Sequence, residues 1–163
     1  MPADEPDGLT IRDARDDDSE QLIALVAAAY AEYPGCVLDV DGEAPHLRRP
    51  ASAFADRGGR LWVVEAAGLV VACAGFADRG EALELLSLYV ATSARRRGLG
   101  GRLAGLVEAA ARERGRHRVE LWTDTRFLDA HRLYERLGYV RGGTRELHDL
   151  SRSVEHHYRK SLP

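Results

Sequence analysis

The stretch Arg95-Arg96-Arg97-Gly98-Leu99-Gly100-Gly101 stands where one hydrophobic periodicity ends and another begins. Before it, residues 82–90 (ALELLSLYV) are large and apolar, as a buried strand requires. After it, Leu99, Leu103, Leu106, Val107 and Ala110 fall on one helical face, and Gly115 supplies a stop. A loop that leaves a strand and opens a helix meets the unpaired N–H groups of the first helical turn. Glycine lets the backbone approach an anion, the helix dipole favours negative charge there, and guanidiniums add charge-assisted bonds. The stretch therefore reads as a diphosphate cradle. Two other phosphate chemistries fail. A nucleoside-triphosphate loop ends Gly-Lys-Ser/Thr, whereas Arg102 and Leu103 follow the glycines here. The dinucleotide pattern GxGxxG needs its third glycine at position 103, where Leu103 stands. The plain alternative is a helix start with solvated arginines.

Upstream of the loop, residues 60–66 (RLWVVEA), 69–76 (LVVACAGF) and 82–90 form a three-stranded antiparallel meander. Ala67-Gly68 and Asp78-Arg79-Gly80 supply its turns. A short strand over residues 9–14 leads through Asp16, Asp17 and Asp18 into a helix whose buried face is Leu22, Leu25, Val26, Ala29 and Tyr30. Residues 33–50 hold Pro34, Gly35, Gly42, Pro45 and Pro50, so they read as loop with at most a short helix, and 51–57 adds another turn. Downstream come a strand at 118–123, a helix at 126–137 closed by Gly138, and strands at 139–144 and 153–161. The sum is a mixed α/β (α+β) fold with a mostly antiparallel seven-stranded sheet and about four helices. Its fourth and fifth strands are joined by a helical crossover and so run parallel.

A chain of 163 residues suits one domain. Residues 8–163 are expected to form it, after a loose tail over 1–7. With 45% hydrophobic and 30% charged residues, wholesale disorder is excluded. No apolar run approaches the roughly 18 residues of a membrane span, and the acidic start MPADEPDG does not resemble a signal peptide. A cytoplasmic location without membrane partners is expected. A net charge of −3 argues against a nucleic-acid partner. Cys36 and Cys73 are too few for a disulfide framework or a four-thiolate zinc site, so no metal is expected.

Two segments together resemble a known family. R-x-x-G-x-G after a strand ending Leu-Tyr-Val, followed by an amphipathic helix, is similar to the coenzyme A motif of the GNAT N-acetyltransferases. Ala130-His131-Arg132-Leu133-Tyr134 with Leu137-Gly138-Tyr139 resembles that family's A-x-x-L-Y-x-x-x-G-F/Y segment. The resemblance covers nearly the whole chain, in the family's order of elements. It implies acetyl-CoA as cosubstrate, with the backbone of Leu88, Tyr89 and Val90 pairing with the pantetheine arm like an added strand. The amides of residues 95–101 would then hold the pyrophosphate, and the Leu88 N–H would polarise the thioester carbonyl. For this the fourth and fifth strands must part. It also places the Tyr134 hydroxyl at the sulfur, where a phenol of pKa about 10 can protonate a departing thiolate. Glu84 falls in the register of a glutamate base kept by some members, with a water relay as the alternative. One departure is Phe127, where the family often carries asparagine; Thr123, Asp124 or Thr125 would then supply the missing polar contact.

The acceptor site in such folds lies between the first helices and the last strands. The loop there carries Tyr30, Glu32, Tyr33, Asp39, Asp41 and Glu43, an acidic and aromatic set that suits a cationic amine. Tyr30, Tyr33, Asp39 and Asp41 are the substrate candidates, against the plain reading of a solvated loop. His148 and Asp149 border the same region, and His131 reads as a helix-surface group or a support behind the site rather than a base. Neither cysteine has a partner pattern for nucleophilic catalysis, so direct transfer in a ternary complex is expected. The expected activity is acetyl transfer to the primary amine of a small cationic molecule, by a monomer or homodimer. A protein lysine or N-terminal acetyltransferase and a non-catalytic coenzyme A module are the alternatives.

Overall fold

The computed structural model describes residues 8–163; the tail expected over 1–7 lies outside the described residues. Seven strands form one sheet in the order β1-β2-β3-β4-β5-β7-β6. They are β1 (Leu9–Asp13), β2 (Arg60–Ala66), β3 (Leu69–Asp78), β4 (Ala82–Val90), β5 (Arg118–Asp124), β6 (Val140–Glu146) and β7 (Val154–Ser161). Every neighbouring pair is antiparallel except β4 and β5, as the crossover demands. The helices are α1 (Ser19–Ala31), α2 (Val40–Glu43), α3 (Pro50–Asp56), α4 (Leu99–Glu113) and α5 (Leu128–Arg136). Four of them run seven residues or more. The proline-rich span expected as loop with at most a short helix holds the four-residue α2 and a 3-10 turn over Pro45–Arg48.

Both faces of the sheet are covered, which is why β2 and β3 read as continuous apolar runs rather than alternating ones. Leu61, Val63, Val70 and Cys73 face α1 and α3 with Leu22, Val26 and Phe54. Trp62, Val64, Ala74 and Phe76 face α4, where Leu99, Leu103, Val107 and Ala111 fill the other layer. Helix α5 lies on that same side through Ala130, Tyr134 and Leu137. Gly115 (φ +67°) and Gly138 (φ +93°) end α4 and α5 in the left-handed conformation that glycine adopts freely. The start of α1 is tied to β1 by Asp18, whose carboxylate accepts two bonds from Arg12 (2.9 and 2.7 Å) and one from the Arg15 N–H (2.7 Å). Among the described residues no helix is long and apolar enough to cross a membrane.

Candidate active site

The parallel pair is short. Strands β4 and β5 share register only at Ala82↔Arg118, Leu83↔Val119 and Glu84↔Glu120, while β5 stays paired with β7 through Asp124. Beyond Glu84 the two strands part. On its other edge β4 loses step with β3: Leu86 pairs with Gly75 and Tyr89 with Cys73, so Ser87 and Leu88 together face Ala74. This bulge puts Ser87 at φ +57°, a left-handed conformation that costs a non-glycine residue roughly 1–2 kcal/mol. It also changes the facing of the strand. Leu83 and Leu85 point to the α4 layer, and so do Leu88 and Val90, while Tyr89 turns toward α1. The backbone at Ser87–Leu88 is therefore out of register with both neighbouring strands.

Two cavities flank the parted strands, of about 710 and 370 Å³. They share Leu88, Tyr89, Phe127, Ala130 and Tyr134, so one opens into the other at the bulge. The larger is lined by Leu88, Tyr89 and Val90 on β4 and by Arg95, Arg96 and Gly98 to Gly101 on the loop. Arg97 is outside that lining. Arg96 (φ +64°) and Gly98 (φ +73°) both turn left-handed, curling the loop onto the start of α4. Among the described residues no side-chain bond caps that helix at Gly98, and Leu99, Gly100 and Gly101, whose N–H groups open its first turn, line the groove. Gly100 has a further duty: a Cβ there would sit 2.7 Å from Leu133 Cδ2, so the glycine also lets α4 pack against α5. Arg95 is bound to Glu32 through both guanidinium nitrogens (2.7 and 2.6 Å), and its Nε donates to the Val90 carbonyl (3.2 Å). The sequence named both residues without showing that they meet.

Tyr134 lies where the cavities join. It is buried, its ring rests against Tyr139 and Tyr158, and its hydroxyl has no hydrogen-bond partner among the described residues. Burial alone holds its pKa well above the usual tyrosine value, so it stays a proton donor at neutral pH. Phe127 stacks on Tyr33 (centroids 4.7 Å apart) beside Tyr30, in the place where a polar contact was sought. The Tyr30 and Tyr89 ring centroids lie 6.2 Å apart, and burial raises the pKa of both hydroxyls. Glu84 is not brought to this junction. It sits on the zipped end of β4, bonded to Arg79 (2.6 Å), and lines neither cavity.

The smaller cavity is acidic. Asp39, Glu43, Asp124, Asp149 and Glu155 line it, with no lysine or arginine. Arg126 neutralises Asp124 (2.7 Å) and Arg145 neutralises Glu155 (2.8 Å). Burial would raise the Asp124 pKa, but the bonds from Arg126 carry it below the usual carboxylate range. Asp39, Glu43 and Asp149 have only amide and hydroxyl donors: Gly42 N–H at 3.0 Å, Leu150 N–H at 3.1 Å, and the N–H and hydroxyl of Ser153, each at 2.7 Å. Of the four substrate candidates, Tyr30 and Asp39 line this cavity, Tyr33 lines the larger one, and Asp41 is an exposed partner of Arg48 in neither. The cavity is also roofed. The Val37 N–H donates to Ser151 Oγ (2.8 Å), that hydroxyl donates to the Val37 carbonyl (3.1 Å), and Glu43 holds Leu150. Cys36 lines the cavity with its thiol pKa raised by burial, and burial pushes Cys73 up to about 12. Neither is a ready thiolate. His131, expected at a helix surface or behind the site, is buried with Nε2 2.9 Å from the Asp124 carbonyl.

A ligand with a diphosphate at one end and an amide-bearing arm at the other uses the helix start and the open β4 backbone at once. Coenzyme A thioesters have that chemistry, and the residues fit them. The chain belongs to the acetyltransferase (GNAT) family, whose sequence profile matches residues 19–139. No curated protein matches the chain. Among solved structures it is similar to a GNAT-family acetyltransferase from Staphylococcus aureus Mu50, with TM-score 0.83, 18% identity, and coverage of 95% of this chain and 99% of that one. It is also similar to an acetyltransferase from Salmonella typhimurium with its cofactor acetyl-CoA, with TM-score 0.72, 20% identity and coverage of 96% and 95%. A third likeness is to the ribosomal-protein-alanine N-acetyltransferase from Brucella melitensis, with TM-score 0.72, 23% identity and coverage of 93% and 99%.

Proposed function

We propose that this acetyltransferase acetylates the primary amine of a small, cationic molecule by direct transfer within a ternary complex. Acetyl-CoA supplies an acetyl thioester. The N–H groups opening α4, with the guanidinium of Arg96, bind its diphosphate, and the backbone of Leu88–Val90 holds its arm. The Leu88 N–H, freed from the ladder by the bulge, donates to the carbonyl oxygen as negative charge gathers there. The Tyr134 hydroxyl protonates the sulfur as the C–S bond breaks. Three acids without a cationic partner, Asp39, Glu43 and Asp149, attract and orient an ammonium.

The observation that carries the small-molecule reading is the roof between Val37 and Ser151. A peptide acceptor needs an open groove, and here two chain segments are hydrogen bonded across the acceptor side. The test is thiol release from acetyl-CoA with a panel of diamines, amino-acid amides, neutral amines and lysine or N-terminal peptides. Release with small cationic amines supports the reading; release with peptides alone overturns it in favour of a protein acetyltransferase.

A further inference from the structure

One nitrogen base in the acceptor cavity has no structural duty. His46 lies half-buried in the 3-10 turn over Pro45–Arg48 and lines the cavity. The turn is well fixed. Pro45 sets its first residue, Leu47 is buried against α1, and Ser19 Oγ donates to the Leu47 carbonyl at 2.6 Å. The imidazole meets Phe54 of α3 edge-on with centroids 6.1 Å apart, yet neither ring nitrogen has a hydrogen-bond partner among the described residues. The carboxylates near it differ in this respect. Asp39, Glu43 and Asp149 are held by backbone amides, Asp124 and Glu155 by arginines, and Glu84 lies outside.

We propose that His46 is the general base that deprotonates the acceptor amine. The proposal rests on the acetyl-transfer reading above. A free imidazole nitrogen takes one proton from the acceptor's ammonium. The nitrogen lone pair so released forms the C–N bond to the acetyl carbon while the C–S bond breaks. The amine's second proton replaces the one that Tyr134 gives to sulfur, and His46 later returns its proton to water. The products are the amide, the free thiol and one proton. The surroundings suit the role: burial, with a further push from the Arg57 guanidinium on α3, keeps the imidazole pKa below its usual 6.5. The other ionisable groups facing that cavity are Asp39 and Glu43 from the α2 side, Asp124, Asp149 and Glu155 across it, and Tyr30, Cys36, Tyr89 and Tyr134.

The experiment joins a titration to a pH–rate profile. Histidine C–H resonances of the protein saturated with coenzyme A, with His46 assigned by its disappearance in His46→Gln, are expected to give a midpoint below 6.5. With saturating acetyl-CoA and an amine of pKa above 9, wild-type kcat/KM should rise tenfold per pH unit up to that midpoint and then level off. In His46→Gln the value near pH 7 should fall on the order of a hundredfold, and the break should vanish, the rate climbing on with the fraction of free amine. Acetyl-CoA Kd should change less than about twofold. A break that persists in His46→Gln, a rate within about threefold of wild type, or a wild-type profile with no break at the imidazole midpoint overturns the proposal. His46→Asn guards against misfolding, since a purely structural role lowers Tm without moving the break. A wild-type protein that acetylates no amine overturns the parent reading, and the base falls with it.

Discussion

Tyr134 is buried as a residue and lines both cavities at their junction, with no side chain among the described residues hydrogen bonded to its hydroxyl. Removing its oxygen breaks no hydrogen bond to another described residue, so Tyr134→Phe should fold with nearly unchanged Tm. The same change should lower kcat about a hundredfold with little change in acetyl-CoA Kd. Unchanged turnover would remove Tyr134 from the chemistry. Because burial raises the Tyr134 pKa above its usual value near 10, it should also produce no alkaline fall in kcat below about pH 10. The position of Tyr134 on α5 was legible in the sequence, because its motif fixes a place on a helix and helices keep their period. The position of Glu84 away from both cavities was not. Counting back from the glycine loop assumes a regular strand, whereas the Ser87 bulge shifts β4 by one residue and register with Glu120 closes the edge beside Glu84. A serine in a hydrophobic run does not announce a positive φ.

Elements meet at the loop before α4, where two anions compete for one guanidinium. Arg95 holds Glu32 at the end of α1 and also donates to the Val90 carbonyl on β4. Glu32 and Arg95 both line the groove that fits coenzyme A. Their pair is partly exposed, so it stabilises the fold by about 0.2–1 kcal/mol. Glu32→Gln should therefore leave Tm within a few degrees of wild type. It should tighten acetyl-CoA binding severalfold in calorimetry, because Arg95 is then available to a phosphate, and the gain should shrink at high salt. Weaker binding would show instead that Glu32 positions Arg95 for the ligand. A second junction lies at the far end of β3. Asp78 accepts from Arg116 (3.2 and 3.0 Å) and Arg114 (3.1 Å), tying β3 to the turn after α4. The Arg116 bonds, followed by the Gly80 N–H, bring its pKa to about 2 from the ordinary 3.8. A carboxyl more acidic in the folded state stabilises it above pH 4, and that contribution is lost as pH falls toward 2. The Tm difference between wild type and Asp78→Asn should therefore be largest near pH 7 and shrink through that acid range; a constant difference would refute the linkage.

Across the whole molecule, the seven strands along the chain and the glycine-rich helix start follow from local periodicity, and the sequence carries both; the insertion of β7 between β5 and β6 it does not carry. The roof of the acceptor cavity does not. Val37 and Ser151 are 114 positions apart, and nothing local in either segment specifies the other. The exposed apolar side chains of Val37 and Leu150 lie in these two segments. Ser151→Ala removes both bonds between them. The expected results are faster hydrogen exchange at the Val37 amide, a KM for the small amine raised severalfold, and new activity on short peptides as the cover loosens. Unaltered exchange at Val37 would mean that packing rather than hydrogen bonding holds the roof.

An unpaired strand edge is normally a hazard, because it invites another chain to add to the sheet. Here the unpaired length of β4 lies inside the sheet, hemmed by β5 and β7 on one flank and β3 on the other, with the Ser87 kink breaking its flatness. A slender amide chain without bulky substituents can thread such a slot, whereas a polypeptide strand with side chains on both faces cannot. The protein thus keeps this strip for a ligand while denying it to its own copies, which can add a strand only at the outer edges, β1 and β6.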